Sequence, residues 1–276
     1  MVGQKMVMEI LKTFIDNDNF PRFVIISGPR GCGKKALASY IAKHFLQGFE
    51  IYPGNGVESV REAIDNSYRC AGTTVFIFPD SDKMSVQAKN AMLKITEEPP
   101  RQAYFIMTVE SMNNTLGTLK SRGTEIQMEN YTQDELSQLV DDNSDNSKMA
   151  LKIATNPGQL YQLLKMNVNE FYHFCEKVLD NVASVTGVNA FKIGSNFRFK
   201  DSDTEGYDPI LFFECIKTIC LDRSRIETVP EKLKALARTI KVTSAHERDL
   251  SLTGVKKDST FDMWILEMRE IWQSLI

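Results

Sequence analysis

Cysteine is sparse in this 276-residue chain and badly spaced for building structure. The five residues, Cys32, Cys70, Cys175, Cys215 and Cys220, are odd in number, far apart, and form no Cys-x-x-Cys pair. That gives neither a disulfide framework nor a zinc signature. Cys215 and Cys220 fall on an apolar helical stretch and read as buried free thiols. Long apolar runs are also missing: none reaches membrane-spanning length, and the N-terminus has no signal-peptide pattern. A reducing, cytoplasmic setting without membrane contact is the expectation. Excess positive charge is absent too, the net charge being −3. A generally basic nucleic-acid coat is thereby excluded. A local basic patch is not, because attraction to phosphate follows the patch rather than the sum. Internal repeats and low-complexity tracts do not occur.

What is present is ordinary globular material, 42% hydrophobic and 25% charged, enough for two or three modest domains. "QKMVMEILKTFID" (4–16) has helical periodicity, and "RFVIIS" suits a buried strand. "SGPRGCGKK" follows at 27–35, then the strong helix formers of "KALASYIAKHFL". The alternation continues with a helix over 57–68, a strand over 73–78, and a helix over 85–98 that Ser85 caps and Pro99 and Pro100 close. Strands at 103–109 and 124–128 complete it. Apolar strands alternating with helices predict a parallel sheet covered on both faces. Beyond residue 130 the strands stop. Thr132 and Glu135 form a capping-box pattern, and 141–148 reads as a solvated loop. Helices are predicted over 148–166 and 168–185, a polar break near 195–206, and helix again through 208–276. Trp264, Met268, Ile271 and Leu275 recur there at one-turn spacing and read as a core or subunit-contact stripe.

A strand, a glycine loop and a helix in succession are the setting in which a phosphate-binding loop is credible. Gly28, Gly31 and Gly33, with Cys32 between the last two, would let backbone N–H groups converge on phosphate, and Lys34 would reach the terminal phosphates. The next residue should carry a hydroxyl for magnesium, but Lys35 has only donors and cannot ligate a cation. The second strand ends in "FPDSDKMS", where a magnesium-holding Asp and a basic Glu belong. Two registers are open. In one, Pro79 stands at the metal position and Asp80 at the base; in the other, Asp80 holds the metal and Ser81 stands at the base. Either leaves the site incomplete. A further candidate is "LKSRG", with Ser121 and Arg122 just before the last strand. A guanidinium there can stabilise charge on a transferring phosphoryl group.

With these residues in view, the chain resembles the clamp-loader branch of the AAA+ ATPases, and within it the delta-prime type of subunit of bacterial DNA polymerase III. The resemblance rests on "VGQKMVMEILKTFI", "FPRFVIISGPRGCGKKALASYIAKHF" and "VESVREAIDNSY". It rests further on the Lys-Met pair and the Asn-Ala-x-Leu-Lys-x-x-Glu-Glu-Pro-Pro string of "DSDKMSVQAKNAMLKITEEPP", and on "LKSRG" where the family carries Ser-Arg-Cys. It is strong over residues 2–128, weaker through "ATNPGQLYQLL" to about 165, and beyond that only a shared helical character.

The resemblance implies an α/β P-loop AAA+ module over 1–130, a small helical lid over 131–166 and an all-α collar over 167–276. It implies a pentameric ring with other clamp-loader subunits, working with a sliding clamp, primer–template DNA and the DNA polymerase holoenzyme. In it, 28–35 is the Walker A loop, Asp80 and Asp82 lie in the Walker B region, and Thr108 is near sensor 1. Gln159 stands at the sensor 2 position, and Ser121–Arg122 is the arginine-finger motif. Gln87, Lys89 and Lys94 lie on a helix that faces DNA in the family; a solvated helix face is the plainer reading of each. Lys35, Pro79 and Gln159 each remove a group that the nucleotide site uses, whereas Arg122 remains. The implied role is a subunit with a degenerate ATP site, holding ATP or ADP without hydrolysis or nothing, whose Arg122 acts on a neighbour's ATP. Gly123 stands where the family has Cys, and the zinc-binding insert of many relatives is missing, which points to a streamlined or phage-type loader without zinc. The rival expectations are an ATPase using Asp80 or Asp82 in an atypical metal site, and an adaptor whose loop binds nothing.

Overall fold

A computed structural model describes residues 3–184, 207–251 and 257–275. The polar break predicted near 195–206 lies outside the described residues. Two compact units result: Met1–Leu139 with Asn156–Gly158, and Val140–Thr155 with Gln159–Ile276.

In the first unit the order is α1 (Lys5–Asp16), β1 (Phe23–Ser27), α2 (Lys34–Tyr40), β2 (Phe49–Ile51), α3 (Val57–Ser67), β3 (Thr74–Phe78), α4 (Val86–Glu97), β4 (Ala103–Val109), α5 (Gly117–Lys120), β5 (Thr124–Gln127) and α6 (Gln133–Ser137). After Tyr40 the second helix widens into a π-helical turn over Ile41–Phe45. The five strands are parallel in the order β2-β3-β4-β1-β5. Because successive strand residues face opposite ways, β1 sends Phe23 and Ile25 to one side and Val24 and Ile26 to the other. Phe76, Phe78, Phe105 and Met107 join the first side, beneath Val60 of α3 and Ala88, Met92 and Ile95 of α4. Val75, Ile77, Ile106 and Ile126 join the second, beneath Val7 and Leu11 of α1 and Leu37 and Ala38 of α2. This is the expected parallel sheet with helices on both faces, and both faces are dry.

Ser85 caps α4, accepting from the Ala88 N–H at 3.1 Å, and Thr132 and Glu135 form the predicted capping box. One strand was not predicted. β2 is three residues long between Gly48 and Pro53, lies at the sheet edge, and shows no buried alternation.

In the second unit the strands end. Its elements are α7 (Asp145–Ile153), α8 (whose full span is Pro157–Leu163), α9 (Val168–Asn181), α10 (Pro209–Ile226), α11 (Pro230–Ser251) and α12 (Lys257–Gln273). The predicted loop over 141–148 is therefore half helix, because Ser144 accepts from the Ser147 N–H and starts α7 early. The single helix predicted over 148–166 is two, since Pro157 forces Asn156 out of the helical region. Phe212, Phe213, Phe261 and Trp264 pack together, the Phe212 and Trp264 rings edge-on at 5.2 Å. Trp264, Met268 and Ile271 are buried, so the stripe is core, and the Trp264 indole donates to Thr243 Oγ1 at 3.0 Å. Lys217 lies between Glu214 and Glu247 at 2.9 and 2.6 Å. Burial pushes the Glu214 carboxyl up to about 7, since one ammonium is shared by two carboxylates.

Candidate nucleotide loop and arginine corner

The glycine loop leaves the carboxyl end of β1, the edge at which parallel sheets hold ligands. Its own atoms occupy much of its hydrogen-bonding capacity. The Gly28 N–H donates to the Val109 carbonyl at 3.2 Å, and the Gly31 carbonyl accepts from the Gly158 N–H at 3.0 Å. Gly31 has φ +86°, and a Cβ there would sit 2.5 Å from Asn156 Oδ1, so that position is closed to other residues. Cys32 is buried, its thiol pushed up by that burial, and its carbonyl accepts from Tyr131 at 3.2 Å.

Lys34 is buried, and its ammonium donates to the Gly28 and Pro29 carbonyls at 2.7 and 2.8 Å. Two of its three donors thus close the loop on itself. Lys35 is exposed and lies 5.0 Å from the Tyr52 ring centroid, a cation–π contact in place of a metal-binding hydroxyl.

The segment after β3 is equally occupied. The Pro79 carbonyl accepts from Asn55 Nδ2 at 2.8 Å. Asp80 is exposed, adopts φ +51°, and its N–H donates to the Thr108 hydroxyl at 3.0 Å. Ser81 is buried and donates to the Phe78 carbonyl at 2.8 Å. Asp82 Oδ2 accepts from the Glu110 N–H at 2.7 Å, while its buried Oδ1 has no partner. Glu110, just past β4, completes the group. Burial raises its pKa, Lys34 opposes that rise, and Asp82 reinforces it. A magnesium nucleotide does not fit these residues. Lys35 offers a cation no acceptor, and the Asp82 carboxylate oxygen left without a partner is buried. Among the described residues no three His, Cys, Asp or Glu side chains form a metal-binding group.

Arg122 lies at the other edge of the sheet, before β5 begins. The register pairs Val24 with Thr124 and Ser27 with Gln127. Gly28 and Arg122 are therefore separated along the strands by roughly 15–20 Å, at about 3.3 Å per residue. Arg122 is exposed, and its guanidinium donates from Nη1 to the Thr118 carbonyl at 2.7 Å and from Nη2 to the Glu97 carboxylate. Ser121 is exposed and donates to the Thr118 carbonyl at 3.1 Å. A Cβ on Gly123 would lie 2.8 Å from Ile25 Cδ1, which makes glycine the residue of least strain at the family's cysteine position.

Residues 54–132 match the family described as "DNA polymerase III, delta subunit". The gamma/tau subunit of DNA polymerase III from Mycoplasma genitalium is 24% identical over 181 residues, 55% of this chain and 30% of that one. The delta-prime subunit from Yersinia pestis is 40% identical over 70 residues, 24% of this chain and 21% of its own length. Over these stretches the chain is similar to clamp-loader subunits of DNA polymerase III. The matched stretches span less than a third of either relative. In fold, the chain is similar to a DNA polymerase III gamma subunit-related protein from Thermotoga maritima, at TM-score 0.51 and 16% identity, covering 94% of this chain and 98% of that one. It is similar to RuvB of the same organism at TM-score 0.52 and 15% identity, covering 97% and 88%.

The fold brings Gly28, Gly31, Gly33, Lys34, Asp82 and Thr108 to one sheet edge and sets Ser121 and Arg122 at the other. Gln159 spends its amide oxygen locally, accepting from the Thr155 N–H and hydroxyl at 2.8 and 2.9 Å. On α4, Gln87 and Lys94 are exposed, but Lys89 is buried and does not lie on a solvated face. Sequence reasoning missed Glu110 and Glu97. The first was findable as the carboxylate directly after a predicted parallel strand. Nothing in the sequence joins Glu97 to Arg122.

Proposed function

We propose that this chain is a delta-prime-like clamp-loader subunit that leaves its own nucleotide site unused and supplies Arg122 to ATP held by a neighbouring subunit. One observation carries the reading: Arg122 and the glycine loop occupy opposite edges of one parallel sheet. A guanidinium so placed has no access to its own loop and can serve only a nucleotide on another molecule. The self-bonded Lys34, the cation–π contact of Lys35 and the proline at 79 support the other half of the reading. In an assembled ring, Arg122 would stabilise charge on the neighbour's transferring phosphoryl group while the clamp is placed on primer–template DNA. The test is Arg122→Ala in the reconstituted loader, read as clamp- and DNA-stimulated ATP turnover. A loss on the order of 10³-fold at the served site is expected by analogy with other arginine fingers. Unchanged turnover would sink the role.

A second reading, in which the chain hydrolyses ATP itself, is favoured by the unpartnered Asp82 Oδ1 beside Glu110. ATP hydrolysis by the purified chain that disappears in Lys34→Ala would establish it.

A further inference from the structure

The guanidinium of Arg122 is held at two points by groups from different elements. Nη1 donates to the backbone carbonyl of Thr118 in α5, and Nη2 donates to the carboxylate of Glu97, the last residue of α4. Glu97 and Arg122 are 25 positions apart in sequence. Their meeting is therefore made by the fold, in which α4 and α5 end together at the amino edge of the sheet. A guanidinium has five N–H donors arranged as a rigid fork. These two contacts use one donor on each terminal nitrogen and leave three for an incoming oxyanion. The half-exposed setting, with side-chain exposures of 31% for Arg122 and 52% for Glu97, keeps that remainder within reach of a partner.

We propose that Glu97 is the positioning residue of the arginine finger: it fixes the plane and direction of the Arg122 guanidinium before a neighbour's phosphates arrive. The inference rests on the trans-acting role of Arg122 proposed above. Its physical basis is pre-organisation. An unbraced arginine samples many rotamers, and the freedom lost on meeting phosphate is subtracted from transition-state stabilisation. A backbone carbonyl alone fixes one nitrogen and lets the plane swing; a carboxylate on the second nitrogen removes that swing. Exposed ion pairs contribute little to folding, so this contact is poorly suited to a purely stabilising role. Glu97 does not touch the neighbour's substrate and acts through Arg122.

The test is a cycle of variants in the reconstituted loader: Glu97→Ala, Glu97→Gln, Arg122→Ala and Glu97→Ala with Arg122→Ala. Clamp- and DNA-stimulated ATP turnover is separated into kcat and KM. Glu97→Ala is expected to lower kcat by about 10- to 100-fold, the scale of a misplaced catalytic group, with KM for ATP unchanged. Glu97→Gln keeps an acceptor oxygen and should recover most of the loss. The double variant should be no slower than Arg122→Ala alone, because a residue acting only through Arg122 has nothing left to position. Glu97→Ala at full kcat, beside a slow Arg122→Ala, would overturn the positioning role and leave the finger standing. Losses that simply multiply in the double variant, or a faster Glu97→Ala, would overturn it likewise. Full turnover in Arg122→Ala would remove the finger and this inference together. Thermal unfolding of the free Glu97 variants serves as the folding control; if Glu97→Ala fails to assemble, Glu97→Leu, which keeps the stem and removes the acceptor, takes its place with the same loss of kcat expected, and full kcat in it overturns the positioning role.

Discussion

The two edges of one sheet have been treated in opposite ways. At the carboxyl edge, the polar groups of the glycine loop and its neighbours bond to one another: Lys34 to its own loop, Thr108 to the Asp80 N–H, Asp82 to the Glu110 N–H. At the amino edge, Arg122 remains exposed, with two anchors and donors to spare. A motif's letters are alike in both uses, as ligand and as architecture. What separates them is where the donors are spent. In this chain the lysine of the more familiar motif bonds to its own loop, and the less conspicuous arginine is exposed.

The sharpest way to break that contrast is to disable both edges in the same assembled loader. Arg122→Ala should cost on the order of 10³-fold in turnover at the served site, about 4 kcal/mol of transition-state stabilisation. Lys34→Met, which keeps the stem and removes the ammonium, should leave turnover unchanged. Equal losses would restore the loop to chemistry and collapse the distinction between the edges.

If the loop is architecture, its residues should show their value in stability instead. Gly31→Ala places a Cβ at φ +86° and 2.5 Å from Asn156 Oδ1, whereas Gly33→Ala, at φ +95°, meets nothing nearer than 3.8 Å. Urea unfolding should show Gly31→Ala costing about 2–3 kcal/mol and Gly33→Ala about 1–2 kcal/mol, the latter from left-handed backbone alone. Lys34→Met should cost about 1–3 kcal/mol, because two loop carbonyls lose their donor. A loop whose glycines tolerate alanine equally would have no such closure.

Much of this was legible before any coordinates. Short apolar runs bounded by breaks placed β1, β3, β4 and β5, and the caps at Ser85 and Thr132 marked helix starts, because those signals are local. β2 was hidden by its brevity and its exposed edge, which leave no alternation to read. The start of α7 was hidden in a polar stretch whose acidic and amide residues suit a helix's first turn as well as a loop. The sequence also shows Lys35 where a phosphate-binding loop carries a hydroxyl, and a proline at 79 beside the strand end. The contacts made in the fold were not legible: Lys34 folding back, Lys35 meeting Tyr52 and Glu97 meeting Arg122 depend on chain segments brought together by the sheet. Lys89 shows the same limit, since helical spacing put it beside exposed neighbours while packing buried it.

A smaller effect sharpens the assignment of Lys35. Lys35→Thr restores the hydroxyl that a magnesium-binding loop carries, yet Pro79 remains and Lys34 stays engaged. No ATP hydrolysis should appear in the purified variant. The measurable change should be a loss of about 0.5–1 kcal/mol of stability from the contact with Tyr52, matched by Tyr52→Leu and not added to it in the double variant. Gain of hydrolysis from this one substitution would mean that the rest of the site was intact all along.

The smallest expected effect compares the carboxylates at the two edges. Glu110 is partly buried, and that burial, with Asp82 beside it, raises its pKa against the pull of Lys34. In the unfolded chain the same carboxyl ionises near the usual glutamate value of about 4.3. Well below that pH both states hold the proton and folding carries no penalty. As pH rises past it, the unfolded chain releases its proton first, so the native state holds more protons and stability falls until Glu110 ionises in the fold. Glu110→Gln removes this term. Its unfolding midpoint, set against that of the unchanged protein, should therefore improve as pH rises above the unfolded carboxyl value, and level off once Glu110 ionises in the fold. Glu97→Gln, at the exposed edge, should shift stability by no more than about 1 kcal/mol, as expected for a solvent-exposed pair. Both follow from one cause: at the loop edge carboxylates are shut in with each other, and at the arginine edge the carboxylate stands in water with its partner. An unfolding curve for Glu110→Gln that tracks the parent at every pH would show that the loop edge is wet, and the two edges would then differ in sequence alone.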